Sequence, residues 1–150
     1  SSCEDGIPCH AMGILESHTF KIVSESGELL PAGVYSLAIG IDGEDTQISW
    51  TIDENGEVTE LEVNNQNKYT VSTKNAEPFG KEIILEGSCP EEALQEISAT
   101  LGFDYSEVDQ FTIEPVYDAN QPTEANGVGC GKCWNYTTPL PTLVVPTVTQ

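Results

Sequence analysis

A chain of 150 residues and 16.2 kDa has room for one domain, or for one domain with a short appendage. Five lysines and no arginine stand against 25 acidic residues, which gives a net charge of -20. This anionic field argues against nucleic acid and anionic lipid as partners, and no apolar run reaches the roughly 20 residues of a transmembrane helix.

The composition divides the chain into three parts. Residues 1–17 are rich in small and turn-forming residues and predict an irregular N-terminal arm. Residues 18–137 carry most of the periodic apolar pattern and predict a single globular β-rich domain. Residues 138–150 read TPLPTLVVPTVTQ, and this Thr/Pro-rich composition predicts an extended tail or linker.

Apolar and polar residues alternate along much of the central chain, which predicts β-strands. The clearest run has its apolar positions at Ile48, Trp50 and Ile52, and the pair Asn55-Gly56 that follows is favoured in tight hairpins. Together with the run 69–73, this hairpin predicts a three-stranded antiparallel meander with one apolar and one wet face. The other strands are predicted around 20–22, 34–41, 82–86 and 110–117.

A change of period predicts one helix near the end of this series. Ser88 begins a capping box, and Leu94, Ile97 and Leu101 recur at helical spacing, so we expect an amphipathic helix over about 90–101. The fold class that follows is mainly β: an antiparallel β-sandwich or meander sheet with one covering helix. An α+β sheet with the helix packed across it is the alternative.

The cysteines of this small, lean domain favour an oxidising exterior. They are Cys3, Cys9, Cys89, Cys130 and Cys133. We expect structural disulfides among them that tie the ends of the chain to the sheet. An odd number leaves one cysteine over. The start Ser1-Ser2-Cys3 is similar to the end of a bacterial lipoprotein signal, in which case Cys3 would carry the lipid.

Two further features favour export. Asn135 begins the sequon Asn-Tyr-Thr, a glycosylation signal in the eukaryotic secretory route. The Thr/Pro-rich segment at the end is typical of extended stalks and wall-side linkers. Together with the cysteines, these features predict an extracellular or cell-surface location, with periplasmic or lipid-anchored forms as alternatives.

Cys130 and Cys133 form a C-x-x-C motif that has three interpretations. A redox centre needs a thiol of depressed pKa, generally at a helix N-terminus, yet this motif follows a glycine-rich loop and precedes no helical pattern. A zinc site needs four ligands, for which Cys9 and His10 are the candidates to join the two thiolates. A structural clip needs only a partner cysteine, and it is the interpretation that we favour.

Two acidic loops offer the oxygen ligands that calcium prefers. Asp42 and Asp45 lie in the first loop, and Asp53 and Asn55 lie in the second. Neither loop follows the EF-hand spacing, and the two flank opposite ends of one predicted strand, so we do not expect them to share an ion. The sequence therefore favours a chain without a cofactor, with calcium and zinc as the alternatives.

Exposed aromatic residues are the remaining sign of a binding surface. Trp134 and Tyr136 lie in a loop, where they either cap the core beside a disulfide or present a contact patch. No catalytic constellation is recognisable. The sequence therefore predicts a non-enzymatic exported domain for binding or adhesion, with an unknown protein or carbohydrate ligand. The alternative is a zinc-binding or thiol-disulfide redox protein centred on Cys130 and Cys133.

Overall fold

The structure is a computed structural model that describes residues 15–66, 68–88, 94–116, 123–124, 132–133 and 139–146. Within these ranges the chain forms β-strands and no helix, which confirms the prediction of a mainly β fold. The strands are β1 (Leu15–Ser24), β2 (Gly33–Ile41), β3 (Glu44–Ile52), β4 (Val58–Val63), β5 (Tyr69–Ala76), β6 (Gly80–Ser88), β7 (Ile97–Phe103), β8 (Ser106–Ile113), β9 (Thr123–Glu124), β10 (Lys132–Cys133) and β11 (Leu143–Val145).

Two larger sheets share one core in a sandwich-like arrangement. One sheet has the order β11-β1-β6-β5 and the other the order β4-β3-β2-β7-β8. Every pairing in them is antiparallel except that of β1 with β11, which is parallel. The edge strands of the two sheets lie side by side, β4 next to β5 and β8 next to β11. A third sheet contains only β9 and β10.

The core consists of the inward-facing residues of both sheets. Along β2 the side chains of Tyr35, Leu37 and Ile39 are almost fully buried, as the alternation in the sequence predicts. From the opposite sheet Phe20 reaches Phe111 of β8, with 6.3 Å between the ring centroids. Each large apolar side chain that is fully buried contributes about 1.5–3 kcal/mol to folding, and this core joins the two sheets into one unit.

The predicted helix over 90–101 is wrong for the residues of this segment that the structure describes. The segment from residue 97 is strand β7, and residues 90–93 lie outside the described ranges. Ile97 and Leu101 fit a helical period, but together with Ala99 they also fit a period of two, and all three are buried. Because β7 pairs with β2 on one side and β8 on the other, its ladder hydrogen bonds and burial override the local helical pattern.

The predicted meander is correct for β3 and β4 and wrong for its third strand. β5 pairs with β6 in the other sheet, because the chain turns back after β4 through hydrogen bonds from Lys68 and Tyr69 to the carbonyl oxygen of Asn65. The actual meander is β2-β3-β4. Asp42 and Gly43 join its first two strands at φ 49° and 85°, the conformation favoured in two-residue hairpins.

Both chain ends contribute more to the fold than the composition predicts. β1 begins at Leu15, inside the predicted arm 1–17. β11 lies inside the predicted tail 138–150, with Leu143 and Val145 fully buried and the N–H of Val144 donating to Asp109 Oδ2 at 2.8 Å. The tail prediction is therefore wrong for β11, which is a strand of the core sheet. The other parts of both predicted segments that the structure does not describe stay predictions.

Candidate functional site

Most residues that the sequence marks as functional lie outside the described ranges. They are Cys3, Cys9, His10, Cys89, Cys130, Trp134, Asn135 and Tyr136. Cys133 is described in its backbone, where it pairs with Thr123 in the short antiparallel ladder of β9 and β10. The disulfide, zinc, glycosylation and contact-patch assignments of these residues therefore stay predictions.

Two of the calcium candidates, Asp42 and Asp53, accept hydrogen bonds from backbone N–H groups, whereas Asp45 lies in strand β3 opposite Gly40 and not in a loop. Asp42 Oδ1 accepts hydrogen bonds from the N–H groups of Gln95 and Glu96, both at 2.8 Å. Asp53 Oδ1 accepts from Asn55 and Glu57, both at 2.9 Å. Asp42 and Asp53 lie beyond opposite ends of β3 and are not brought together. In the described part of the chain, no three His, Cys, Asp or Glu side chains are grouped so that they could hold a metal ion.

One end of the sandwich carries four connections, most of whose residues are exposed. β2 begins at this end, where β3 and β7 finish, because Gly33 pairs with Ile52 and Tyr35 pairs with Phe103. We call this region the loop end. It comprises residues 25–32, 53–57, 77–79 and 104–105.

Large exposed hydrophobic side chains concentrate at the loop end. Among the described residues there are four of them: Leu29 at 57% exposure, Phe79 at 53%, Tyr105 at 90% and Val116 at 56%. The first three belong to the loop end. Single exposed hydrophobic residues are normal on a protein surface, but several in one group of loops indicate a contact surface.

Leu29 and Phe79 border the same cleft, which has a volume of about 320 Å³. The β1–β2 loop, the β3–β4 turn and the β5–β6 hairpin form its walls. Ala76 and Pro78 extend the apolar lining, while the polar lining includes Glu57. Asn55, Asn75 and Lys81 line it as well, so the cleft is a recess of mixed polar and apolar lining with two large exposed hydrophobic side chains on it.

The residues that directly follow Leu29 fix this part of the β1–β2 loop to the core. Leu30, the next residue, is only 5% exposed and anchors the loop in the core. The hydroxyl of Tyr35 donates to the carbonyl oxygen of Pro31 at 2.6 Å. The ring of Tyr35 is itself stacked on Trp50 at 5.5 Å between centroids. Leu29 is thus exposed on a loop that is fixed to the core, which lowers the ordering cost of binding.

The environment of Tyr35 perturbs its ionisation. Burial raises the pKa of the Tyr35 hydroxyl well above its ordinary value, and the nearby Asp104 carboxylate raises it further. At neutral pH the hydroxyl is therefore protonated and able to donate to Pro31. This tether between β2 and the β1–β2 loop persists over the physiological pH range.

The β5–β6 hairpin is packed closely against β1. A methyl group at Gly80 would lie 2.5 Å from the carbonyl oxygen of Ile22 and 2.9 Å from Val23 Cγ1, so only glycine fits this approach. On the other side of the hairpin, Lys81 Nζ donates to Asn75 Oδ1. These contacts fix the base of the turn that presents Phe79.

Tyr105 lies at the tip of the β7–β8 hairpin in an unfavourable conformation. Asp104 and Tyr105 have φ values of 49° and 69°, a region that glycine and asparagine adopt far more readily than an aromatic residue. Asp104 Oδ1 accepts from the N–H of Val34 at 3.1 Å, which ties the turn to β2. The sequence does not indicate this hairpin, because its turn lacks the usual glycine.

A buried polar pair lies on β1, outside the loop end. Glu16 Oε2 and His18 Nε2 are 3.1 Å apart, with Glu16 7% and His18 1% exposed. Glu16 Oε1 is buried without a hydrogen-bond partner among the described residues. Neither residue was predicted as inward-facing, since the alternation of β1 is apolar only at Phe20 and Ile22. The pair is a polar element of the core.

The fold and the loop end define a sandwich-like β domain with a cleft between its loops that two exposed hydrophobic side chains border. Comparisons of the chain with protein-family models, with curated proteins and with solved structures gave no match. Among the residues that the structure describes, no helix has the length and apolar character needed to cross a membrane.

Proposed function

We propose that the chain is a non-enzymatic exported or cell-surface domain for binding or adhesion, and that the cleft of the loop end is its contact site. The observation that carries this proposal is the position of Leu29 and Phe79. Both are more than half exposed, and both border one recess. Loops held by a rigid scaffold are the usual place for binding residues in β proteins.

The fixed geometry of the loops favours binding over a purely structural role. Tyr35 and the buried Leu30 hold the β1–β2 loop, and Gly80 holds the base of the β5–β6 hairpin. Leu29 and Phe79 keep about half of their surface in water. A partner that covers this surface would gain about 25 cal/mol of binding free energy for each Å² of apolar area that it buries.

Export and disulfide bonding are part of the same proposal. Leu15 and Ser88 are paired across β1 and β6, and Cys89 follows Ser88 directly. The N-terminal arm with Cys9 and the segment with Cys89 therefore join the sheet at one point, which supports a bridge between them. Closing a loop of this length contributes about 4 kcal/mol in the chain-entropy account.

The binding part of the proposal is tested by solvent mapping in solution. We expect phenol and isopropanol, titrated into uniformly ¹⁵N-labelled protein, to shift the backbone amides of Leu29, Gly56, Phe79 and Gly80 more than those elsewhere. Phe79→Ser should reduce these shifts. Val116→Ser is the matched control, because Val116 is equally exposed outside the loop end. Shifts spread evenly over the surface, or unchanged by Phe79→Ser, would contradict the proposed site.

The export part of the proposal is tested separately by counting thiols. Intact mass after alkylation under denaturing conditions, without reductant, should show at most one reactive thiol among the five cysteines. Zinc analysis of the same sample should show no stoichiometric metal. Four reactive thiols together with one bound zinc would contradict a disulfide scaffold and favour the zinc-binding alternative.

A further inference from the structure

We propose that the loop-end cleft takes a cationic peptide segment of a protein partner, with one apolar side chain of that segment inserted between Leu29 and Phe79. This inference rests on the proposed function and names the class of partner. It combines two independent observations: a small recess bordered by two exposed hydrophobic side chains, and surrounding loops that carry carboxylates and no lysine.

The anionic border comes from the three loops that form the cleft. Their carboxylates are Glu25, Glu28, Asp53, Glu54, Glu57 and Glu77. The basic side chain at the cleft is Lys81, whose ammonium group donates to Asn75. The cleft lining itself holds one carboxylate, Glu57, and one lysine, Lys81, while the three loops together carry six carboxylates and no lysine. The loops around the cleft are therefore net anionic, which attracts cations and repels phosphate and carboxylate ligands.

The surrounding surface strengthens this preference. The five-stranded sheet and its turns, residues 33–63 and 94–116, contain no lysine, and the chain has no arginine. A partner that approaches the loop end from the side of this sheet therefore meets only acidic and neutral side chains. Complementary charge mainly raises the rate of encounter and selects the partner, while the apolar contact supplies the stability of the complex.

The size of the cleft limits what its apolar part can hold. Sites for drug-sized ligands range from roughly 300 to 1,000 Å³, and the cleft of about 320 Å³ lies at the lower end. This volume suits one large side chain. Phe79 offers an aromatic face for an apolar or aromatic side chain, and Leu29 offers an aliphatic one. A neutral sugar could also occupy this recess and donate hydroxyl hydrogen bonds to the carboxylates, but it would gain no charge attraction from them.

The test is a titration of ¹⁵N-labelled protein with four defined probes. The first is the peptide Lys-Gly-Lys-Phe-Lys-Gly-Lys. The second replaces every lysine by glutamate, the third replaces the phenylalanine by alanine, and the fourth is the neutral oligosaccharide cellotetraose. We expect the first peptide to bind at the cleft at least ten-fold more tightly than the others. Raising sodium chloride from 20 to 500 mM should weaken it about ten-fold, because salt screens exposed charges.

Two pairs of variants separate the apolar contact from the charge. Phe79→Ser should abolish the preference for the phenylalanine peptide over the alanine peptide, and Val116→Ser should leave it intact. Glu57→Gln with Glu77→Gln should weaken the cationic peptide about three-fold or more. The matched control removes two exposed carboxylates outside the loop end, and we expect little effect from it. It consists of Glu62→Gln with Glu114→Gln.

Each outcome decides between the two proposals. Binding of the acidic peptide or of cellotetraose at the cleft, in preference to the cationic peptide, overturns this inference and leaves the proposed binding site in place. Cationic binding that spreads over the whole acidic surface, with equal effects of both carboxylate pairs, also overturns it. Failure of all four probes, together with absence of organic-solvent shifts at Leu29 and Phe79, overturns both.

Discussion

Replacing Tyr105 by glycine should stabilise the fold, although it removes a large aromatic side chain. Tyr105 is 90% exposed, so its ring makes few contacts that the substitution could lose. Its φ of 69° brings Cβ close to the following carbonyl group, a clash that glycine lacks. The backbone position therefore favours glycine on steric grounds alone.

The magnitude follows from two opposing effects on the backbone. An L-residue in this left-handed region costs about 1–2 kcal/mol. Glycine loses about 0.5–1 kcal/mol more conformational entropy on folding than alanine. The difference predicts a gain of about 0.5–1 kcal/mol, which corresponds to an increase in Tm of roughly 1–4 °C for a domain of this size.

The assay is thermal and urea unfolding of three proteins followed by circular dichroism. Tyr105→Ala keeps Cβ and removes the ring, so it should unfold close to the original chain, while Tyr105→Gly should unfold later. If both variants were destabilised by more than about 1 kcal/mol, the ring would be contributing to the fold and the reasoning from strain would be refuted. A gain restricted to glycine would show that the chain retains a strained aromatic residue at its loop end, as expected of functional positions.

Three further predictions concern the core and its polar groups. Burial raises the pKa of Tyr35, so the unfolded chain loses the hydroxyl proton near pH 10 while the folded chain retains it. The free energy of unfolding should therefore fall above pH 10, and it should fall less in Tyr35→Phe. Urea unfolding at pH 7 and 10.5 measures both. Parallel loss in both proteins would contradict that origin. Leu143→Ala should lower the free energy of unfolding by about 2–5 kcal/mol, because Leu143 is fully buried. Val144→Ala, the control in the same strand, should lower it by less than about 1 kcal/mol. Equal small effects would show that β11 is not part of the core. Glu16→Ala should destabilise by about 1–3 kcal/mol, because it removes the hydrogen bond between Glu16 and the His18 ring, and Glu16→Gln should be milder. Equal losses in the two variants would contradict a hydrogen-bonding role.

The inward faces of β2 and β3 are predictable from the sequence because their alternation is local. Tyr35 and Trp50 fall at buried positions in two neighbouring strands, and no other period fits these runs. β7 is different, since Ile97 and Leu101 satisfy both a helical and a strand period. Only the ladders to β2 and β8 decide between them, and those partners are distant in the sequence.

Sheet membership depends on such distant contacts throughout the chain. Nothing in the pattern of β5 indicates that it leaves its neighbour β4 and pairs with β6. The hairpin at Asp42-Gly43 is a case in which a local signal was present, because this pair is a favoured two-residue turn. Its role in holding Gln95 through a side-chain hydrogen bond, across 53 positions, is not encoded locally.

The candidate site also depends on contacts between residues that are distant in the sequence. Leu29 and Phe79 come from two loops far apart in the sequence, and each is an ordinary loop residue when considered alone. Their meeting at one cleft follows from the crossing of the chain between the two sheets. The excess of acidic residues is evident from the composition. The composition does not show that six of them lie in the loops around one recess.

The most direct test of the account is the amide shift map during titration with Lys-Gly-Lys-Phe-Lys-Gly-Lys. If the loop-end cleft binds this peptide, we expect saturable shifts centred on Leu29, Gly56, Phe79 and Gly80. These shifts should be lost in Phe79→Ser, and salt should weaken the binding. Shifts of equal size at amides remote from the loop end, or shifts that persist in Phe79→Ser, would contradict it.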